Sequence, residues 1–223
     1  MGNPTVAMSG SDQDPYKYDA GPSPLRDWLL ARLRGPRVLD VGCGTGYMGR
    51  CRPDLLWTGI ERHPKAAQVA SSHYEHVVCG PAEAEYTQSS LRGVFDDILF
   101  CDSLEHFVDS AAVLESYASF LTRRGRVLVA IPNIAHISVR LALLLGNWDY
   151  TDSGPLDDTH LRFFTYDTGQ LLLNQAGLSI IEVGSRLALP RGLRWTTPLA
   201  RMRPTVFSTH LLAVAVREPM SRS

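Results

Sequence analysis

Residues 38–46, VLDVGCGTG, decide the fold of this chain. An apolar run with one acid leads directly into glycines at positions 42, 44 and 46. The run predicts a buried parallel strand, and the glycines predict a loop where a ligand lies against the backbone at the strand's carboxyl end. A dinucleotide fingerprint would need glycine at position 47, where this chain has Tyr47. The stretch therefore argues against a dehydrogenase.

Length and composition indicate one globular domain. The 223 residues are 44% hydrophobic and 20% charged, which is enough for a sizeable core. The formal net charge of -1 and the lack of a basic, aromatic-rich patch argue against nucleic acid or a membrane surface as a partner. The cysteines show neither C-x-x-C nor zinc-ligand spacing, so we expect buried thiols and metal-independent chemistry. The polar N-terminus predicts no signal peptide, and hence a cytoplasmic protein.

Strand-like runs alternate with helical patterns, which predicts a doubly wound, Rossmann-like α/β fold. Each run is almost continuously apolar, as in a sheet covered on both faces. We expect a seven-stranded, mostly parallel sheet with an antiparallel last strand. The predicted strands cover residues 37–41, 56–60, 76–79, 95–101, 126–131, 179–183 and 206–216. The predicted helices cover residues 25–33, 46–51, 64–72, 111–120 and 166–176, with a turn at 123–125.

The chain divides into an arm, a domain and an insertion. Residues 1–22 are polar and contain three prolines, which predicts a mobile N-terminal arm. Residues 23–218 form the domain. Within it, the segment over residues 133–164 (segment 133–164) follows the fifth strand and is rich in aromatic residues, so we expect a lid over the cleft. A loop over 185–204 either caps a substrate or makes contacts in a homodimer.

The whole of residues 16–217 resembles the class I S-adenosylmethionine-dependent methyltransferases, most closely the small-molecule branch that includes ubiquinone- and biotin-pathway enzymes. The resemblance rests on G-x-G-x-G preceded by Asp40, on Glu61 at the end of the second strand, and on Leu104-Glu105-His106 after the fourth. It implies S-adenosylmethionine as the cofactor. The fourth strand lacks the Asn/Asp-Pro-Pro-aromatic stretch of nucleic-acid methyltransferases.

The resemblance also implies roles for individual residues. Glu61 would accept both ribose hydroxyls, since a carboxylate is acceptor-only and can take two donors. Asp40 and the glycine-loop amides would bind the methionine end. Pro81 stands where the family usually places an acid, so the adenine contact passes to the backbone or to Glu83. The expected cofactor-binding residues are Tyr18, Asp40, Gly42, Cys43, Gly44, Gly46, Glu61, Arg62, Ala82, Glu83, Cys101, Ser103 and His106.

Segment 133–164 carries a second resemblance. Its Pro-Asn-x-x-His start at Pro132 and its Thr-His-Leu-Arg-Phe-Phe stretch at residues 159–164 resemble methyltransferases of sugar and secondary-metabolite pathways. More distantly they resemble the methionine biosynthesis protein W family, whose members work with an acyltransferase partner. The acceptor site therefore belongs in this segment, because fold and cofactor motifs do not specify a substrate.

A hydroxyl acceptor must lose a proton, and histidine is the natural base near neutral pH. The catalytic candidates are His136 and His160, with Asp157 or Asp158 available to orient one of them. The alternative for both histidines is a purely structural role. The candidate acceptor-binding residues are Tyr16, Arg140, Trp148, Tyr150 and Arg162.

The sequence thus predicts an S-adenosylmethionine-dependent methyltransferase of a small-molecule acceptor. We expect transfer to a hydroxyl oxygen in a natural-product or sugar biosynthetic pathway. One alternative is methylation of nitrogen or a carboxylate. The other is a non-catalytic accessory protein that uses the same fold to activate a partner enzyme.

Overall fold

The computed structural model describes residues 21–91, 93–187 and 197–218. Seven strands form one sheet in the order β3-β2-β1-β4-β5-β7-β6. The strands are β1 (Arg37–Val41), β2 (Leu56–Glu61), β3 (His76–Cys79), β4 (Phe95–Cys101), β5 (Leu121–Pro132), β6 (Leu178–Leu187) and β7 (Ser208–Arg217). β1 to β5 pair in parallel, and β7 is antiparallel to both β5 and β6. The predicted doubly wound sheet with an antiparallel last strand is confirmed.

Helices connect the strands on both faces of the sheet. They are α1 (Pro24–Leu30), α2 (Tyr47–Cys51), α3 (Pro64–Ala70), α4 (Glu85–Ser89), α5 (Ser110–Ala118), α6 (Ile137–Leu144), α7 (Tyr166–Gln175), α8 (Thr197–Arg201) and α9 (Pro204–Phe207), with a 3-10 turn over Leu104–His106. Side chains cap the starts of α1, α5, α6 and α7. Asp109 caps α5 by accepting the Ala112 N–H, and Thr165 and Thr168 form a reciprocal capping box at α7. No helix in the described ranges is long and apolar enough to cross a bilayer.

The core has two layers because side chains alternate along each strand. Leu39, Ile98 and Val129 lie in the larger layer, which α5 and α7 cover. Leu99 and Leu128 lie on the opposite face, in the layer that α1 covers. Burial on both faces explains why these strands read as unbroken apolar runs.

A buried ion pair joins β4 to β5 away from the glycine loop. The carboxylate of Asp97 is fully buried and pairs with Arg126, whose guanidinium also donates to the Arg32 carbonyl. Asp97 also accepts the backbone N–H groups of Arg34 at 2.7 Å and Gly35 at 3.1 Å. These bonds supply the partners that a buried charge requires.

The structure moves several predicted boundaries. β5 begins at Leu121, so the predicted turn at 123–125 lies inside the strand, where Leu121 pairs with Phe95 before the register shifts. β7 begins at Ser208, because the preceding residues form α9. α6 lies inside segment 133–164 and begins directly after His136, as the alternative interpretation of that residue as a polar residue at a helix start predicts. Most of the predicted arm lies outside the described residues, as do residues 188–196 of the predicted loop over 185–204. The rest of that loop includes the end of β6 and α8.

Candidate functional site

The glycine loop lies at the carboxyl end of β1. Gly42, Gly44 and Gly46 have φ values of 83°, 54° and 84°, a region that side chains other than glycine rarely adopt. The N–H groups of Gly42 and Cys43 both donate to the Ile60 carbonyl, at 2.9 and 3.0 Å. A β-carbon at Gly42 would lie 3.0 Å from that of Ser103. The loop is therefore pressed between β2 and the segment that follows β4.

Glu61 ends β2 beside this loop and is 5% exposed. Its Oε2 accepts the Gly44 N–H at 2.9 Å, and its Oε1 accepts the His63 N–H at 2.8 Å. Each carboxylate oxygen has a further lone pair available for another donor. The two bonds thus fix the orientation of the carboxylate beside the glycine loop.

Asp40 lies within β1, two residues before Gly42, and is 2% exposed. Its Oδ2 accepts the Tyr74 hydroxyl at 2.6 Å. Burial raises the pKa of Asp40 from 3.8 to about 6, against the opposing effect of the Tyr74 bond. A positive charge placed beside this carboxyl group would favour its ionised form.

The other predicted cofactor residues differ in accessibility. Cys43, Ala82 and Ser103 are buried, whereas Arg62 and Glu83 are exposed. The Ala82 carbonyl accepts the Tyr117 hydroxyl at 2.8 Å, so it is already engaged. Burial raises the pKa of the Cys101 thiol well above its ordinary value, which is consistent with a backbone contribution. Tyr16 and Tyr18 lie outside the described residues.

The chain bends sharply after β4, at Asp102, which has a φ of 52°. The Nε2 of His210 on β7 lies 3.2 Å from the Asp102 carboxylate. Burial opposes ionisation of Asp102, but the hydrogen bond and charge of His210 outweigh it, so the pKa of Asp102 lies below its ordinary value. The sequence-based prediction missed His210, because only the antiparallel pairing of β7 with β5 brings it to this edge.

Segment 133–164 folds back onto the turn that follows β4. Its two ends meet, since Asn133 bridges to Phe164 and the Ile134 N–H donates to the Phe164 carbonyl at 2.8 Å. Near its end, the N–H groups of Leu161 and Arg162 both donate to the Glu105 carbonyl, at 2.9 and 3.0 Å. The segment therefore covers the carboxyl end of β4.

This contact brings His160 against Glu105 and His106. The Nε2 of His160 lies 3.7 Å from Oε1 of Glu105, and the two imidazole rings are 4.9 Å apart. Burial and then His106 lower the pKa of His160, with Asp157 acting in the opposite direction. Burial and the charge of Asp102 raise the pKa of Glu105 well above its ordinary value.

His136, the other catalytic candidate, begins α6 and is 7% exposed. Its Nδ1 accepts the Ser138 N–H at 3.3 Å and lies 2.8 Å from the Ser138 hydroxyl. His136 thus caps the N-terminus of α6, which agrees with its alternative, purely structural role. The two histidines thus differ in position: His136 serves the start of α6, whereas His160 contacts Glu105 and His106 at the end of β4.

The predicted acceptor residues lie along segment 133–164. Arg140 donates to the Ala135 carbonyl at 2.6 Å, and Arg162 donates twice to the Val108 carbonyl. These bonds brace the segment. Trp148 and Tyr150 are partly exposed and pack edge to face, with ring centroids 6.4 Å apart. Phe163 continues this aromatic row from Trp148 to His160, at 5.9 and 6.2 Å.

The fold and this edge of the sheet define a class I, Rossmann-like methyltransferase domain. The family described as "Methyltransferase domain" matches residues 15–183. The chain belongs to this family of S-adenosylmethionine-dependent methyltransferases, as the motifs around Asp40 and Glu61 predict.

Curated relatives are similar over part of their length. The "Ubiquinone biosynthesis O-methyltransferase" of Paracidovorax citrulli is 32% identical over 123 residues, 50% of this chain and 51% of that protein. The protein of the same name from Ralstonia nicotianae is 34% identical over 119 residues, 47% of this chain and 48% of that protein. The chain thus spans about half the length of the curated relatives it matches.

Solved structures share the fold at low sequence identity. A SAM-dependent methyltransferase from Thermotoga maritima superposes with a TM-score of 0.62 at 17% identity, covering 87% of both chains. Magnesium protoporphyrin IX methyltransferase from Synechocystis, solved with bound SAH, gives 0.59 at 17% identity and covers 97% of this chain and 90% of that one.

Proposed function

We propose that this protein transfers a methyl group from S-adenosylmethionine to a hydroxyl oxygen of a small molecule in a biosynthetic pathway. The observation that carries the oxygen acceptor is the position of His160, held beside Glu105 and His106 over the end of β4. The family membership and the O-methyltransferase names of the curated relatives support the proposal. Their printed pathway, ubiquinone biosynthesis, supports a biosynthetic role.

Residues of the glycine loop and of the first two strands bind the cofactor in this proposal. Glu61 accepts the ribose hydroxyls while Gly44 and His63 hold its carboxylate. Asp40, ionised, faces the cationic end of the ligand. The bound cofactor would supply an electrophilic methyl carbon on a sulfonium, whose sulfur leaves as a neutral thioether. Positioning then accounts for much of the rate, since effective molarity contributes roughly 7–11 kcal/mol.

Segment 133–164 positions the acceptor and excludes water. The exposed faces of Trp148 and Tyr150 form an apolar wall, and Arg140 and Arg162 brace it. The acceptor oxygen forms a bond to the methyl carbon as the carbon–sulfur bond breaks, and its proton passes to a base, His160 or His136. The lowered pKa of His160 favours the neutral imidazole, which is the form that can accept a proton.

Calorimetric titration with S-adenosylhomocysteine tests the cofactor site. We expect wild-type protein and the Glu115→Gln control, an exposed acid on α5, to bind equally, and Glu61→Ala to lose binding. Acceptor candidates are then screened for the mass gain of one methyl group. Lack of binding by wild type would contradict the proposal.

The same screen separates the alternatives. For a hydroxyl acceptor, the double variant His136→Asn with His160→Asn should lose turnover while retaining cofactor affinity. Intact turnover in that variant would instead indicate a nitrogen or carboxylate acceptor. Cofactor affinity without turnover on any acceptor, together with co-purification of another enzyme, would indicate an accessory protein.

A further inference from the structure

Three side chains with metal-ligand chemistry converge over the end of β4. One ligand atom from each of Glu105, His106 and His160 lies within 4.8 Å of the others. Glu105 and His106 come from the 3-10 turn, and His160 comes from segment 133–164. We propose that these three residues bind a divalent transition-metal cation.

Glu105 provides an independent observation that points to a ligand. It is 1% exposed, and within the described part of the chain neither of its carboxylate oxygens has a hydrogen-bond partner. Its nearest side-chain nitrogen, Nε2 of His160, is 3.7 Å away, which is too long for a hydrogen bond. A buried carboxylate without partners is costly, and such groups are usually paired or coordinate a metal. A cation between Glu105 and the two imidazoles would supply the missing partner.

The imidazoles are oriented as metal ligands usually are. The Nδ1 of His106 lies 3.2 Å from the Thr159 carbonyl, to which it donates, so Nε2 keeps its lone pair for a metal. The Nε2 of His160 faces Glu105 and lies 3.7 Å from its Oε1. Histidine ligands typically donate their other ring N–H to a backbone carbonyl or carboxylate in this way, which fixes the ring and its tautomer.

The donor set selects the kind of ion. Two imidazoles and one carboxylate suit zinc, cobalt, iron or nickel, whereas magnesium and calcium prefer oxygen ligands. Three protein ligands leave coordination positions open, as in catalytic metal sites.

The chemical role of the cation rests on the proposed function. An acceptor hydroxyl that binds at an open position releases its proton to solvent and is held as the more nucleophilic oxygen anion. That oxygen then attacks the methyl carbon, and the carbon–sulfur bond breaks. In this arrangement His160 is a ligand of the cation rather than the general base. The proposal departs from the metal-independent chemistry expected from cysteine and histidine spacing, because the ligands come from two distant parts of the sequence.

Cobalt titration of chelator-treated full-length protein tests the site, because Co²⁺ reports its coordination through its visible absorption. We expect one equivalent to bind to wild type and to a His76→Asn control, whose side chain is exposed on β3. Glu105→Gln and His160→Asn should each weaken Co²⁺ binding by more than the ~10–100-fold that loss of an outer-shell partner costs. Glu105→Gln replaces a buried acid with a neutral amide of the same size, so it should fold.

Two readouts keep this proposal separate from the proposed function. Calorimetry with S-adenosylhomocysteine should give the same affinity in Glu105→Gln as in wild type. Wild type that binds S-adenosylhomocysteine but not Co²⁺, or Co²⁺ binding unchanged in both variants, would overturn the metal site and leave the methyltransferase intact. Co²⁺ binding without any affinity for S-adenosylhomocysteine would overturn the methyltransferase and leave the metal site. Turnover that persists in excess chelator would overturn the catalytic role of the cation.

Discussion

Replacing Asp40 with asparagine should make the folded protein more stable at neutral pH. Burial raises the pKa of Asp40 from 3.8 to about 6, so the folded state binds this proton more tightly than the unfolded state. The contribution of Asp40 to the free energy of unfolding is therefore largest below pH 3.8 and is lost as the pH rises through about 6. The difference in pKa corresponds to about 3 kcal/mol, at ~1.36 kcal/mol per pKa unit. Asparagine never ionises, and its carbonyl oxygen can still accept the Tyr74 hydroxyl.

Urea denaturation of both proteins between pH ~4.5 and ~7.5 measures the difference in their free energies of unfolding, which we expect to grow by roughly 2 kcal/mol across this range. Tyr74→Phe serves as a second variant: it removes the 2.6 Å hydrogen bond to Asp40, which favours the ionised form, so the transition should move to higher pH. Parallel pH–stability curves for wild type and Asp40→Asn would refute the reasoning, because they would show that Asp40 titrates alike in the folded and unfolded states.

Four further substitutions probe the framework around the site by denaturant unfolding, and the one at Gly42 is also checked by calorimetry. Asp97→Asn should lower the free energy of unfolding by about 3–5 kcal/mol, since it leaves a buried guanidinium without its charged partner. Asp96→Asn breaks a half-exposed pair with Arg37 and should cost at most ~1 kcal/mol. Equal losses in the two variants would contradict this prediction. Gly42→Ala should lower the free energy of unfolding by about 1–3 kcal/mol, because Gly42 has a φ of 83°. It should also weaken cofactor binding, because the new methyl group meets Ser103 at 3.0 Å. Unchanged affinity in calorimetry would be inconsistent with a close approach of the ligand to this loop. Asn133→Ala should cost about 3 kcal/mol or more, because this buried amide serves the backbone at Ala135, Tyr166, Thr205 and Ser208; a loss below ~1 kcal/mol would contradict the network.

Elements whose signals are local could be predicted from the sequence. β1, β3 and β4 have the predicted bounds because each apolar run is ended by glycine, proline or a polar turn. Glu61 could be assigned to a site because it ends a strand next to the glycine loop. β5 was predicted too short, since its first residues pair only through the irregular register at Phe95, which composition does not reveal.

The acceptor side depends on contacts between distant parts of the chain, and these could be predicted only in outline. His160 was a candidate base, but its approach to Glu105 requires segment 133–164 to fold back on the 3-10 turn. His210 reaches Asp102 only through the antiparallel last strand. The sequence does not indicate that Tyr74 donates a hydrogen bond to Asp40, because α3 and the following turn set the direction of the Tyr74 side chain.

The ring of Tyr74 also has a consequence for how this family can vary. A β-carbon at Gly46, Gly49 or Gly59 would meet that ring at 2.7–3.0 Å. Gly46 and Gly49 have backbone on the other side, at Ala70 and His73, so a smaller residue at position 74 would not release them. At Gly59 the remaining obstacle is a side chain, Cys43. Among homologues, positions 43, 59 and 74 should therefore covary, whereas positions 46 and 49 should stay glycine whatever occupies position 74.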